Sequence, residues 1–167
     1  TMNDFGEEGL VADALAVIEA SGAKQVVPVA LAHGGWVAIE LRRRLGERIP
    51  KIVLIDWLVF EAPSPFLDLL AGMQSPGHWR RTVDRTFSQW LQGVDDTRLV
   101  RFVLEEMGAY GFEMWSRAAR EIGAAEARHV SPLKALSRLA PAVPVFHLYA
   151  QPADPGYLEA QQSFAAG

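Results

Sequence analysis

The chain has 167 residues, with 16 Lys and Arg against 20 Asp and Glu, a formal net charge of −4, and half of its residues hydrophobic. That balance excludes a disordered chain and leaves no electrostatic footprint for nucleic acid. There is no cysteine, which excludes a disulfide scaffold, an iron–sulfur cluster and a thiolate zinc site; no apolar run approaches the roughly 20 residues of a membrane helix, and the N-terminus does not read as a signal peptide.

Apolar residues recur at helical spacing over residues 7–20, through Val11, Ala14, Leu15 and Ile18, and Gly22 supplies a stop. Residues 25–31 (QVVPVAL) read as a short buried strand, with Pro28 an unusual member. A second helix follows His33, Gly34 and Gly35, carries Trp36, Ile39 and Leu41, and ends on Arg42, Arg43 and Arg44 before Gly46. Residues 51–56 (KIVLID) read as a parallel strand buried on both faces and ending in an acid. Helix, strand, helix, strand is the pattern of an α/β domain.

Pro63 and Pro65 open a long region without strand character, reaching to about residue 140. Trp79, Val83, Phe87, Trp90 and Leu91 share one helical face, and Asp95 and Asp96 can cap the next helix, which carries Leu99, Phe102, Val103 and Met107. Gly108 and Gly111 break it, the pattern resumes over 112–128 through Trp115 and Ile122, and Ser131 with Pro132 starts another short helix. A strand returns at 143–149 (VPVFHLY), and Asp154 with Pro155 opens a last helix towards Phe164. Three parallel strands rarely close a core alone, Thr1 is not a natural start, and the chain stops within a helical pattern, so both ends are expected to be cut.

The segment VALAHGGW, residues 29–36, carries the chemistry. A strand running through a small residue into Gly-Gly and then a helix is the geometry of a nucleophile elbow. Ala30 and Gly34 flank Ala32 at the spacing that close strand–helix approach demands, and the His33 N–H would sit at a helix N-terminus, where an oxyanion is stabilised. The elbow position itself holds Ala32, which has no nucleophile, and the same turn also reads as a tight connection without chemistry. Asp56, at the C-terminal end of its strand, lies where α/β sheets place their sites; it reads either as the acid that orients a histidine or as a turn cap. His33 falls in the elbow, His78 and His129 near helix ends and His147 in a strand, and no pair has metal-ligand spacing such as HExxH.

The runs HGGWVAIEL and IDWL, then FSQWL, LEEM, YGFEMW, YAQPADPGY and QQSFAAG, resemble the cofactor-independent 2,4-dioxygenases of 3-hydroxy-4-oxoquinolines and quinaldines, over most of the chain. The resemblance implies an α/β-hydrolase-like parallel sheet core, residues 1–60 and 141–167, interrupted by a helical cap, residues 61–140, over an aromatic pocket. It implies a cytoplasmic enzyme, monomer or homodimer, with O2 as co-substrate, neither metal nor organic cofactor, and neither nucleic acid nor membrane as partner. Its substrate is a small aromatic N-heterocycle, a 3-hydroxy-4(1H)-quinolone. A histidine base, held by an aspartate, removes the 3-hydroxyl proton; the anion reacts with O2, and a peroxide closes onto the ring carbonyl and fragments to carbon monoxide and an N-acylanthranilate.

Residue by residue, the resemblance makes Asp56 the dyad acid, puts Ala32 where the family has a serine, and places His33 and Trp36 beside it. Phe66, Trp90, Trp115 and Ile122 fall where the family lines its substrate pocket; by their spacing alone, Trp90 and Trp115 equally read as cap core. Two departures stand out. Ala32 replaces the elbow serine, and the base histidine is expected in a Thr-His-Phe-Pro-like segment beyond residue 167, with the N-terminal strands missing as well. The chain as given is therefore expected to be incomplete and impaired. A non-catalytic quinolone-binding homologue is the alternative, and an esterase of the same fold is opposed by Ala32.

Overall fold

In the computed structural model, which describes residues 6–149 and 155–166, the elements run α1 (Glu7–Ser21), β1 (Val29–Leu31), α2 (Gly34–Leu45), β2 (Ile52–Ile55), α3 (Ser64–Gln74), α4 (Trp79–Trp90), α5 (Thr97–Arg101), α6 (Phe112–His129), α7 (Pro132–Ser137), β3 (Val145–Leu148) and α8 (Pro155–Ala166). Thr1 and Asp154, to which expectations were attached above, lie outside the described residues. The chain divides into two compact units, 1–60 with 132–167 and 61–131.

The first unit holds the sheet. Its three described strands are parallel in the order β1-β2-β3, with Ala30 beside Leu54 beside His147, and Leu31 beside Ile55 beside Leu148. Parallel neighbours need crossovers, and α2 supplies the one from β1 to β2. Both outer strands are shorter than their apolar runs. Pro28 and Pro144 have no N–H to give, so each contributes only a carbonyl, accepting from Val53 N and Ile52 N at 3.0 Å. The expectation of a strand buried on both faces is corrected for β2. Ile52 and Leu54 are fully buried, whereas Val53 and Ile55 on the opposite face are half-buried. On that same face Val29, Leu31, Phe146 and Leu148 are each more than half exposed, which also corrects the buried reading of β1. The pleat sends alternate side chains to opposite faces, and α2 packs against β1 and β2 on the side of Ala30 and Leu54.

Helix α1 stops at Gly22, which takes the left-handed φ of 64° that a residue with Cβ resists, and packs through Val11 and Ile18 against Leu41 of α2. Arg44 reaches Glu8 of α1 at 2.7 and 2.8 Å and Glu40 of its own helix at 2.9 Å. Arg42 is buried, and a buried guanidinium requires partners. Here they are carbonyls, of Gly46, of Ile49 at 3.3 Å and of Pro141 at 2.8 Å, tying the end of α2 to the approach of β3. The short helix α7 belongs to this unit as well, where Leu133 N–H donates to the Val59 carbonyl at 2.8 Å.

The second unit is helical. Its core is Leu70, Met73, Val83, Phe87, Val103 and Ala119, contributed by α3, α4, α6 and the turns after α5. The N-terminus of α3 coincides with Pro63 and Pro65, which the sequence reading took only as the opening of a strand-free region; Pro is well tolerated in a first turn. Asp96 caps α5 as expected, accepting from Arg98 N at 2.9 Å. The helix expected through Met107 instead changes winding after Arg101, into a π-helical turn at Phe102–Glu106 and a 3-10 turn at Met107–Ala109.

Candidate active site

At the end of β1, Ala32 has φ 46°, a left-handed conformation rare for a residue with Cβ, and this is the strained turn that an elbow requires. Its N–H continues the ladder to Ile55 O at 2.9 Å, while its carbonyl accepts the first helical bond from Gly35 N at 3.0 Å. The strand therefore turns directly into α2, and the positive end of that helix lies at residues 32–34. Gly34 and Ala30 meet as the spacing predicts, a Cβ on Gly34 falling 3.7 Å from the Ala30 Cβ, which is ordinary contact. The tight position is Gly35, where a Cβ would lie 2.1 Å from the Trp57 ring. His33 occupies the N-cap position of α2 without a side-chain capping bond, and burial pulls its pKa down to about 4, so near neutral pH its imidazole is uncharged.

Asp56 follows β2 as Ala32 follows β1. Its φ is 50°, its N–H donates to Leu148 O at 2.8 Å, and its side chain is exposed. Because Leu31 pairs with Ile55, the two left-handed residues stand side by side at the C-terminal edge of the sheet. An acid there is free of the covered core and able to hold a cationic or hydrogen-bonding partner. Beyond it, Trp57 is 2% exposed and meets Trp36, 4% exposed, edge to face at 5.0 Å, so Trp36 packs under the elbow. His147 lies on the β3 register beside Leu54, near the Trp57 backbone and the charge of Asp56; its Nε2 has no hydrogen-bond partner among the described residues, and burial lowers its pKa. Tyr157 of α8 accepts from Val59 N at 2.7 Å, meets Phe60 edge to face at 5.4 Å and lies tilted against Tyr149 at 5.2 Å.

In the helical unit, Phe87 of α4 is bracketed by Trp90 at 5.8 Å and Trp115 of α6 at 5.6 Å. Trp90 is half exposed, Trp115 is half-buried with its Nε1 lacking a hydrogen-bond partner among the described residues, and Phe66 and Ile122 pack against the same core. His78 and His129 also belong to this unit, His78 paired with Ser75 Oγ at 2.9 Å. Among the described residues no group of three or more His, Cys, Asp or Glu side chains gathers as a metal site would require, and no helix is long and apolar enough to cross a membrane.

Sequence reasoning missed His147 and Tyr157 as neighbours of the Asp56 segment. About a hundred residues separate them from it, and no local periodicity marks such a pairing; the YAQPADPGY run contains Tyr157 but assigns it no role.

No protein-family model matches the chain. It is 33% identical over 166 residues to the 2-heptyl-3-hydroxy-4(1H)-quinolone dioxygenase of Mycobacteroides abscessus, covering 99% of this chain and 62% of that protein. It is 35% identical over 165 residues to the 1H-3-hydroxy-4-oxoquinoline 2,4-dioxygenase of Pseudomonas putida, covering 98% of this chain and again 62% of the relative. A solved structure of a 1H-3-hydroxy-4-oxoquinoline 2,4-dioxygenase superimposes with a TM-score of 0.90 at 35% identity, over 99% of this chain and 63% of that one. A structure of an AqdC variant, described as in complex with its substrate in work on ring-cleavage of the Pseudomonas quinolone signal, gives 0.89 at 33% identity, over 98% and 62%. The fold is thus that of the α/β-hydrolases, and the chain spans about 62% of the length of these relatives.

Proposed function

We propose that this chain, a homologue of the 3-hydroxy-4-quinolone 2,4-dioxygenases, serves the O2-dependent cleavage of a 3-hydroxy-4(1H)-quinolone ring, releasing carbon monoxide and an N-acylanthranilate. The observation that carries the reading is the pair of left-handed residues, Ala32 and Asp56, side by side at the ends of adjacent parallel strands. Asp56 is the acid that orients and charge-stabilises a histidine base, and the base takes the 3-hydroxyl proton of the substrate. The N-terminus of α2 at residues 32–34 favours the resulting oxyanion, and a neutral His33 contributes hydrogen bonding without a competing charge. The deprotonated ring is electron-rich enough to react with O2 itself, so the reading includes neither metal nor organic cofactor. The resemblance offers Trp36, Phe66, Trp90, Trp115 and Ile122 for substrate contact; Trp90 is half exposed, whereas Trp36 is buried against Trp57 and contributes by shaping the elbow. The protein is read as cytoplasmic, acting as a monomer or homodimer.

Ala32 sets the expected weakness. A methyl group cannot hydrogen-bond substrate or intermediate as a serine hydroxyl would, and losing one donor at an oxyanion costs about a hundredfold or more in turnover. Ala32→Ser restores the hydroxyl on a backbone already turned for it. Turnover of a 3-hydroxy-4-quinolone should rise at least about tenfold in that variant, with the affinity for the ring little changed. Ala32 also favours a second reading, a homologue that binds the quinolone without cleaving it. Tight binding with no O2 uptake by the parent protein and by Ala32→Ser alike would select the binder.

A further inference from the structure

Residues 57–59 follow Asp56 without regular secondary structure, so their backbone groups must find partners elsewhere. The partners come from distant parts of the chain. Val59 N–H donates to Tyr157 Oη at 2.7 Å, and the Val59 carbonyl accepts from Leu133 N at 2.8 Å. The Trp57 carbonyl is approached by the His147 imidazole and, at 3.5 Å, by the Tyr157 hydroxyl. The rings of His147, Tyr149, Tyr157 and Phe60 follow one another at 5.6, 5.2 and 5.4 Å.

On the other side of Asp56, its own N–H is held by Leu148 O at 2.8 Å. A left-handed aspartate between two anchored neighbours has little freedom to relax, and such a conformation persists only where the surroundings over-determine it. We infer that Tyr157, with His147, forms a clamp of positioning residues that fixes the direction of the Asp56 carboxylate by holding the backbone of residues 57–59. The inference rests on the reading of Asp56 as the acid that orients the base. Small errors in aiming such a group are costly, because the base must face the reacting hydroxyl in one geometry.

The test uses two kinds of readout in the whole protein that carries this chain, with Ala32→Ser, whose turnover is the reference. Tyr157→Phe keeps the ring contacts with Phe60 and Tyr149 and removes only the hydroxyl that Val59 uses. Its kcat should fall about tenfold while KM and Tm stay close to the reference. His147→Leu should fall likewise, and His147→Gln, which keeps a donor, should recover part of the loss. Independently of any activity, the Val59 amide should exchange with solvent about tenfold faster in Tyr157→Phe. Unchanged kcat in Tyr157→Phe, or an equal loss of kcat, affinity and Tm, overturns the positioning role. If the reference itself shows no turnover, the functional reading fails, and the exchange measurement still decides the clamp, with unchanged protection at Val59 overturning it.

Discussion

Glu126 on α6 is buried, its Oε2 has no hydrogen-bond partner among the described residues, and burial pushes its pKa up from 4.5 to about 7. The folded state therefore keeps a proton that the unfolded chain releases. Stability from this group is fully present below the unfolded value and is lost as pH rises through about 7. Glu126→Gln removes that loss. Thermal melts at about pH 4 and about pH 8 should give similar Tm values for parent and variant at the lower pH and a higher Tm for the variant at the upper one. An unchanged difference across that range would show that Glu126 does not carry the proton. Ala32 also bears a cost at this scale, since its left-handed φ of 46° is roughly 1 kcal/mol or more above an ordinary conformation. Of the site residues, the elbow was readable because small residues at fixed spacing are a local signal, whereas the identity of the tight glycine was not. Sequence spacing pointed to Gly34; the close approach is at Gly35, set by Trp57 just beyond the next strand.

That approach makes a prediction about α2 as a body. Gly35→Ala would drive a Cβ into a Trp57 ring that is fully buried and edge-packed on Trp36, so α2 and the segment after β2 must separate. The cost should be about 3 kcal/mol, while Gly34→Ala, with ordinary contact to Ala30, should cost under about 1 kcal/mol; urea melts of the two variants check the contrast. The end of α6 offers the reverse case. Val130, a β-branched residue, caps it at φ 70° and ψ −45°, and it donates to Glu126 O at 2.9 Å. Val130→Gly should raise stability by about 1 kcal/mol, read as an upward shift of the urea midpoint at unchanged slope. Periodicity found α1, α2, α4 and α6, where apolar stripes are long. It overran β1 and β3 because proline ends a ladder without ending an apolar run, and it passed over α3 because the prolines at its start resemble a loop. The change of winding after Arg101 has no sequence mark, since π and α turns use the same residues.

At the scale of the molecule, the parallel sheet and the strand-free insertion were legible because each has its own apolar rhythm, period 2 or an unbroken run against period 3.6. The sheet face bearing Val29, Leu31, Phe146 and Leu148 was not legible, because an exposed and a covered apolar strand read alike in sequence. Nor was the convergence of β3 and α8 on the segment after Asp56, which links residues about a hundred positions apart. What these elements assemble is a pair of turned strand ends beside a helix N-terminus, with His33 in the first turn and His147 on the neighbouring strand, each with its pKa lowered by burial. We propose that this arrangement serves ring cleavage by O2 without a cofactor. It is tested most directly by following O2 uptake and carbon monoxide release together, with a 3-hydroxy-4-quinolone and a strong chelator, in the protein carrying this chain and in its Ala32→Ser variant. O2 consumed and carbon monoxide released should be equal in amount, insensitive to the chelator and faster with the serine. Quinolone bound without O2 uptake in both proteins, or uptake abolished by the chelator, would contradict it.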